Sequence, residues 1–598
     1  MIPVFFLLIL ASASLFAPGD LGFGLLPFHG HAAIILILLP LALPLEPIVR
    51  NHPWVQKIES WSRSPYPDRF PFTRPTLQSL IVAPILAPIL FMALWMVRMR
   101  VFLPPPHGLG DSLLLLEHIP AHSIQFGYLG TFDEILALFW RSRLYLWLNQ
   151  TAAMPAEDAI GIISCLAGAL HGTAVFLITS RLKPVRRVAA FALLFFVPAL
   201  QLYAGYVENY SLASFFLFLT VVSGVVQLER WKASRPVYPE WPAFFAALGA
   251  AHHMVLVFAF PALVLLVLVL ASRKEGNYLS VRWRLAASMA LRAGSVGLLI
   301  LGLVWIYFFF IISNPIELHE SFAFRPALYP IRKLISTTHF LQGLNILVLC
   351  APAAIGLGGA LLPSCSIVIA RIRAMPTRER KNGWFKAFLR ERWKSLQAYA
   401  ISYPSEAFSL AVFLCFLGHS FIWNPVIGFP ADWDLFSFYQ APLHIFLYLR
   451  IFVRDEPFPF LWLRRTLLLT VLPCYFWISR NHEYSKESQY NVQQSNRNLV
   501  EFLVLRQKEN IFFRIPTLHR QRTYIEVRMF AIRARHEIER LPISKEEKAL
   551  LDSRLMQGLI RFQGIALEPD ELYQKQLPDI YYDLADVNAR ISELQTEY

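Results

Sequence analysis

Charged residues are scarce in this 598-residue chain. They make up 16% of the residues, whereas soluble domains average about 25%, and this scarcity excludes a soluble globular protein. The 56% share of hydrophobic residues also excludes a disordered chain, because disordered segments lack the apolar surface that offsets chain entropy. Cysteine is scarce too, and the five cysteines fall inside apolar runs without metal-ligand spacing. They are expected to be small buried residues, and no disulfide framework is implied.

Long apolar runs are abundant. Runs of about 18 or more residues alternate with short basic clusters, which is typical of membrane-spanning helices. The first run has no basic residue before it and a second run follows, so we expect a retained helix and not a cleaved signal peptide. We predict about 11–13 spans, near 1–17, 24–44, 77–97, 158–180, 188–203, 207–227, 241–252, 253–272, 288–312, 340–369, 406–423, 435–450 and 460–479.

The fold class expected from these runs is all-α, a polytopic transmembrane helix bundle with a soluble helical domain at the C-terminal end. Residues 1–76 hold two extra N-terminal spans and a loop, and residues 77–480 form the main transmembrane domain with a long outer loop at 101–155. Residues 481–598 are rich in Glu, Arg, Lys and Gln, with apolar residues at helical spacing. They predict stacked helices of a TPR-like kind, although the 34-residue TPR pattern is not met.

The excess of Lys and Arg over Asp and Glu indicates how the chain is oriented in the membrane. Lys and Arg total 55 against 41 Asp and Glu, and in a membrane protein basic residues concentrate in cytoplasmic loops. When alternate loops are assigned to opposite sides, one set holds 29 Lys and Arg and the other holds 7. The first set therefore faces the cytoplasm, with the N-terminus inside and residues 481–598 outside. The net charge of +14 then gives no support for a nucleic-acid partner.

Two segments depart from simple spans. The stretch 241–272 is too short for two full crossings and carries His252 and His253 at its turning point. Half-length helices are tolerated at membrane depth only where they line a cavity or are buried in protein. In the loop 101–155, the string LFWRSRLYLWL predicts an amphipathic helix lying in the membrane interface.

Polar residues gather at the predicted outer ends of the spans. Ionisable groups at a membrane boundary are costly unless they pair or function, so this gathering is the main indication of a site. The candidates are Asp111 in HGLGDS, Asp133 and Glu134 in TFDEI, Tyr206 and Glu208 in GYVENY, His252 and His253 in AHH, Glu317, His319 and Glu320 in ELHE, and Asp432 and Asp434 in FPADWD.

Structural explanations stand beside the functional ones. Asp111 is placed to cap a helix, and so is Asp133, with Glu134 favourable in the first turn that follows. The two histidines are equally consistent with satisfied core residues, and ELHE with a solvated loop. The string ADWD is also typical of an interfacial aromatic anchor with Asp434 as its helix cap.

Acids, histidines and aromatics at an outer membrane boundary suit glycosyl transfer from a lipid-linked sugar phosphate. The acceptor hydroxyl loses a proton as it attacks the anomeric carbon, so a positioned carboxylate can serve as general base. The departing lipid phosphate needs neutralisation by Arg, His or a divalent cation such as Mg²⁺ or Mn²⁺ held by carboxylates.

The order of GLGDSLLLLEHI, GYVENY, AHHMVLVFAFPAL and ADWDLFS resembles the GT-C superfamily of integral-membrane glycosyltransferases. It is most similar to bacterial GT-C-like proteins with a C-terminal helical, often TPR-containing, extension, and the resemblance covers roughly residues 77–480. It implies a bacterial cytoplasmic membrane, a polyprenyl-phosphate sugar donor and inverting transfer to a glycan, lipid or protein acceptor. It also implies a catalytic acid in the first outer loop, at Asp111. Many members show adjacent acids there, whereas Gly110 and Ser112 flank Asp111 and the adjacent pair Asp133 and Glu134 lies further along.

Two other classes stay open. A transporter or flippase of lipid-linked glycans would also bind the bilayer and a polyprenyl lipid, but transporters usually show internal repeats and midplane ionisable groups. A non-enzymatic scaffold would use residues 481–598 to recruit a protein partner. Besides Asp111 as the base, eight of the candidates are predicted to bind substrate: Asp133, Glu134, Tyr206, Glu208, His252, His253, Asp432 and Asp434.

Overall fold

A computed structural model describes residues 75–101, 133–275, 278–308, 328–337, 398–423, 433–453, 537–566 and 570–597, with single positions between these ranges. The spans predicted at 1–17 and 24–44 lie outside the described residues, and those at 340–369 and 460–479 are described at single positions only.

The described chain is predominantly helical. In the first half α1 is Leu77–Val101, α2 Ile135–Ala152, α3 Ala156–Thr179, α4 Pro184–Phe195, α5 Leu200–Tyr203, α6 Tyr210–Lys232 and α7 Glu240–His252. A 3-10 turn at Met254–Ala259 leads to α8 at Phe260–Leu270, strands β1 (Ser272–Glu275) and β2 (Tyr278–Val281), and α9 at Trp283–Ile306. Then come α10 (Ile331–Leu334), α11 (Pro404–Ile422), α12 (Trp433–Phe436), a 3-10 turn (Ser437–Tyr439), α13 (Gln440–Tyr448), a π turn (Leu449–Val453), α14 (Lys545–Ala566) and α15 (Asp570–Glu597).

Five of the described helices are long and apolar enough to cross a membrane, in agreement with the predicted all-α bundle. They are Leu77–Arg98, Ala156–Thr179, Tyr210–Lys232, Trp283–Ile306 and Pro404–Ile422. The helices α3, α6 and α11 are half or more buried along these windows, whereas α1 and α9 expose most of their apolar side chains. The buried helices thus form the centre of the bundle and α1 and α9 lie at its periphery.

Small residues on α3 set the packing at this centre. A Cβ at Gly168 would lie within 2.4 Å of Tyr203, and one at Gly172 within 2.8 Å of Leu90 on α1. Glycine at these positions lets neighbouring backbones approach closely, as is common between membrane helices.

The single span predicted at 188–203 is wrong. The helix α4 ends at Phe195, Phe196 leaves helical geometry with ψ of 72°, and α5 restarts at Leu200. Pro198 explains the interruption, because the residue before a proline is disfavoured in the helical conformation.

The predicted break in 241–272 is present. The helix α7 has 13 residues and α8 has 11, whereas a full crossing needs about 20. Between them His253 has an extended backbone, with φ of −156° and ψ of 124°.

The chain also contains a β-hairpin that the sequence pattern did not predict. Strands β1 and β2 pair antiparallel from Ser272 opposite Val281 to Glu275 opposite Tyr278. The hairpin joins α8 to α9 in the position where only a basic loop was expected.

The C-terminal helices α14 and α15 pack antiparallel around an apolar core of their own. Leu555, Leu559 and Phe562 of α14 are buried with Leu584 and Ile591 of α15. These helices begin just after Arg540, which contacts the first turn of α3 through an ion pair with Glu157.

Candidate functional site

Three parts of the bundle converge at the break between α7 and the 3-10 turn. They are the residue before α2, the break itself, and the segment GYVENY at residues 205–210 that leads into α6. Each contributes buried polar groups, which in an apolar bundle must find partners.

Glu134 is the centre of these groups, and we name it together with His253, Asn209 and Arg141 the Glu134 cluster. It occupies the N-cap position of α2 and is 5% exposed. Its Oε1 lies 3.2 Å from Nε2 of His253, and its Oε2 accepts a hydrogen bond of 2.6 Å from Nδ2 of Asn209. Both carboxylate oxygens are therefore engaged by side chains distant in sequence.

The hydrogen bonds of His253 fix its tautomer. Its Nδ1 accepts the N–H of Val255 at 3.1 Å, which caps the 3-10 turn after the break. The proton of a neutral ring is then on Nε2, where it points at Glu134. Glu134 and His253 form a hydrogen-bonded carboxylate–imidazole pair, and protonating His253 would turn it into a buried ion pair.

Arg141 belongs to the Glu134 cluster and connects α2 to the start of α6. Its side chain is fully buried on α2 and donates to the carbonyl oxygen of Glu208 and, at 3.3 Å, to Oγ of Ser211. Burial lowers the pKa of the Arg141 guanidinium to about 10, although the Glu134 and Glu208 carboxylates nearby raise it. The group remains cationic at neutral pH and binds α2 to the start of α6.

An aromatic wall closes one side. The ring of Tyr210 lies 4.9 Å from that of His253 and 5.9 Å from that of Phe438. Phe438 belongs to the 3-10 turn after α12, so the segment that follows ADWD packs against the same histidine, at 6.3 Å between ring centres.

A second polar layer supports the GYVENY segment. Arg98 at the end of α1 is 2% exposed and its Nη1 lies 2.5 Å from Oδ1 of Asp158 on α3. Its side chain crosses Gly161 and Gly205, where an added Cβ would lie 2.4 Å and 2.1 Å from Arg98 atoms. Gly205 also has φ of +79°, a conformation that favours glycine. The Arg98 side chain thus packs against the GYVENY segment, whose Asn209 donates to Glu134.

The predicted site residues separate into two groups. The structure brings together Glu134 and His253, with Glu208 beside them through its backbone. Tyr206 and His252 are buried but bonded elsewhere: the Tyr206 carbonyl accepts from Ser164 at 2.9 Å, and His252 Nδ1 lies 2.8 Å from the Leu248 carbonyl.

The prediction that Asp133 caps α2 is wrong. The N-cap residue is Glu134, which makes no side-chain cap bond because its carboxylate is turned to His253 and Asn209. Asp133 contributes its carbonyl instead, which accepts the N–H of Met254 at 2.8 Å and ties α2 to the helix break.

The remaining predictions fall largely outside the described residues. Asp434 lies in α12, Trp433–Phe436. Asp111, Glu317, His319, Glu320 and Asp432 lie outside the described residues.

Three residues of the site were not predicted from the sequence: Asn209, Arg141 and Arg98. Asn209 stands inside the string GYVENY that drew attention to Glu208. The apolar stretch of α2 contains two cations, Arg141 and Arg143, and Arg141 lies seven residues after Glu134 and so on the same helix face. Both signals were available, and both concern polar residues that support the selected acid.

Among the described residues no three or more His, Cys, Asp or Glu side chains are grouped so that they could hold a metal ion. The Glu134 cluster therefore gives no support for the divalent cation that the chemistry allowed, and no metal role is assigned to it. No protein-family model matches the chain, and no match was found among curated proteins or solved structures.

Proposed function

We propose that the chain is a membrane glycosyltransferase of the GT-C type that moves a sugar from a polyprenyl-phosphate donor to an extracytoplasmic acceptor. The observation that carries the proposal is the contact of 3.2 Å between Glu134 and His253 at a helix break within the bundle. Ionisable pairs in such surroundings are costly to bury and mark functional positions in membrane proteins.

In this proposal Glu134 is the general base. The resemblance to the GT-C superfamily places a catalytic acid in the first outer loop, where Glu134 and Asp111 both lie. A carboxylate that accepts two hydrogen bonds keeps lone pairs for a further proton. Glu134 takes the proton of the acceptor hydroxyl as that oxygen attacks the anomeric carbon, and the lipid phosphate leaves with the bonding electron pair.

The surrounding residues hold Glu134 in place. His253 donates its Nε2–H to the carboxylate, Asn209 donates to the other oxygen, and Arg141 fixes the backbone that carries Asn209. The proposal also places this end of the bundle outside the bacterial cytoplasmic membrane. The contact of Arg540 with Glu157 supports placing the C-terminal helices at the same end.

The experiment that tests the class of function is lipid analysis of the purified full-length chain. A transferase of this type is expected to retain polyprenyl phosphate or its sugar conjugate in mild detergent, which mass spectrometry of the extracted lipid detects. A scaffold predicts ordinary phospholipid alone, and that result would contradict the proposal. A flippase would retain the lipid as well but would catalyse no transfer, so transfer is measured on the same preparation.

A further inference from the structure

The end of the bundle opposite to the Glu134 cluster carries a band of cations on two connections. The helix α6 runs for 23 residues from the cluster to Lys232, which is about 34 Å and close to the thickness of a bilayer's hydrocarbon core. The first connection joins α6 to α7 and the second is the β-hairpin between α8 and α9. We name as the basic collar Arg230, Lys232, Arg235, Arg273, Lys274, Arg282 and Arg284.

A hydrogen bond holds the two connections side by side. Nε1 of Trp231 at the end of α6 donates to the carbonyl of Ser272 at the start of β1, at 3.0 Å. Within the second connection, Arg282 donates from Nε to the carbonyl of Ala271 at 3.3 Å. The collar is therefore one surface with fixed geometry, built from chain segments that the helix order brings to the same end.

Three acids lie near the seven cations of the collar: Glu275 on β1, which lies opposite Tyr278 in the hairpin, and Glu229 and Glu240, which have partners. Glu229 lies 3.4 Å from Lys232 and accepts a hydrogen bond of 2.6 Å from Ser405, and Glu240 pairs with Arg292 at 3.2 Å. Most of the collar side chains are exposed. The surface keeps a net positive charge.

Aromatic side chains stand among these cations. Tyr278 and Trp283 are 61% and 70% exposed, and Trp241 and Tyr238 are 53% and 44% exposed. Exposed Trp and Tyr beside the ends of apolar helices are typical of the membrane interface, where the ring is in the acyl region and the polar atom reaches the headgroups. The apolar part of α9 follows Arg284, and its Leu291 and Leu298 are exposed.

We propose that the basic collar binds the headgroups of anionic phospholipids at the membrane surface. The cations meet the lipid phosphates, and the four aromatic rings hold the two connections at headgroup depth. Juxtamembrane Lys and Arg are attracted to anionic lipid, and this attraction weakens with salt. The inference is independent of the proposed glycosyl transfer.

The test compares two neutralised variants of the full chain. The collar variant carries Arg235→Gln, Arg273→Gln, Lys274→Gln and Arg284→Gln, four exposed positions. The matched control removes the same four charges from the C-terminal helices, with Lys545→Gln, Arg554→Gln, Arg561→Gln and Arg590→Gln. Binding of short-chain phosphatidylglycerol and of phosphatidylcholine is measured by native mass spectrometry of protein in detergent.

We expect the preference of the wild-type chain and the control for phosphatidylglycerol to be similar, and that of the collar variant to fall at least about fivefold. A variant with Arg235, Arg273 and Arg284 replaced by Lys keeps the charge and is expected to keep the preference. Equal preference in the collar and control variants would overturn the proposal. Displacement of the lipid by millimolar inorganic phosphate would also overturn it, because the site would then be one for free phosphate.

Discussion

The imidazole of His253 makes two contacts that single substitutions can separate. Its Nδ1 accepts from Val255 and caps the 3-10 turn, and its Nε2 faces Glu134. Asparagine places an oxygen near the position of Nδ1, whereas glutamine places an amide donor near the position of Nε2. The two variants therefore each remove one contact.

We expect His253→Asn to destabilise the protein more than His253→Gln. His253→Asn leaves the buried Glu134 carboxylate without one donor, which lowers the free energy of unfolding by about 2–3 kcal/mol. His253→Gln removes the cap of the 3-10 turn, which lowers it by about 1 kcal/mol. Thermal unfolding in detergent measures the difference. The reverse order would show that the cap, and not the pair with Glu134, is the stronger contact of this residue.

Gly205 combines a left-handed backbone with a close approach to Arg98. We expect Gly205→Ala to lower the free energy of unfolding by more than about 2 kcal/mol, because alanine pays for the left-handed conformation and its Cβ displaces the arginine. The matched control is Gly418→Ala in α11, where an added Cβ meets nothing within 4 Å. Alanine there is expected to stabilise by about 0.5–1 kcal/mol. Similar unfolding temperatures for the two variants would contradict this account.

At the scale of elements, the first turn of α3 contacts the segment that leads into the C-terminal helices. Glu157 is 6% exposed and lies 2.7 Å from Arg540, which is 41% exposed. Breaking this pair leaves a buried carboxylate, whereas breaking an exposed pair costs little.

We expect Arg540→Gln to speed hydrogen exchange in the first turn of α3 and in α14, as measured by mass spectrometry in detergent. Arg590→Gln, which removes exposed pairs with Glu593 and with Glu547 of α14, is expected to leave exchange in the first turn of α3 unchanged. If both variants exchange alike, the contact does not hold these elements together.

Hydropathy was enough to predict the long helices of the described chain, because a membrane span needs a continuous apolar run. It also predicted the broken segment at His253, since that run was too short for two crossings. It failed at Pro198, where a local backbone preference divides an apolar run. It also failed at the hairpin, although Gly276 and Asn277 between two short strands are a recognised turn signal.

The sequence predicted individual residues of the site but not the contacts between them. Glu134 and His253 were both singled out, but their pairing depends on the rotation of α2 and α7 about their axes, which hydropathy does not report. The sequence favoured Asp133 as the helix cap because capping is a local interaction. In the structure the N-cap residue is Glu134, and its carboxylate contacts the distant residues His253 and Asn209. Arg141 and Asn209 were missed for the same reason, since their role lies in partners distant in sequence.

The whole molecule has two chemically different ends. One carries the Glu134 cluster, and the basic collar lies at the other end of α6. Because cations concentrate on the cytoplasmic side of membrane proteins, the collar is expected to face the cytoplasm.

Cysteine labelling in intact cells tests this orientation. Arg143 on α2 and Lys274 on β1 are both exposed, so Arg143→Cys and Lys274→Cys are introduced into a chain without native cysteines. A membrane-impermeant maleimide is expected to label the first in spheroplasts and the second only after permeabilisation. The opposite pattern would place the Glu134 cluster in the cytoplasm and remove the acceptor side that we propose.

The central claim is that Glu134 is the base of a sugar transfer. The direct measurement is transfer of radiolabelled sugar from a polyprenyl-phosphate donor by the purified chain in membranes that supply the acceptor. Glu134→Gln keeps the shape of the side chain and is expected to lower the rate at least about 100-fold. Asp133→Asn, which changes the neighbouring acid but not its backbone contact with Met254, is expected to stay near the wild-type rate. Wild-type transfer by Glu134→Gln would contradict the claim, and loss of transfer in Asp111→Asn alone would move the base to Asp111.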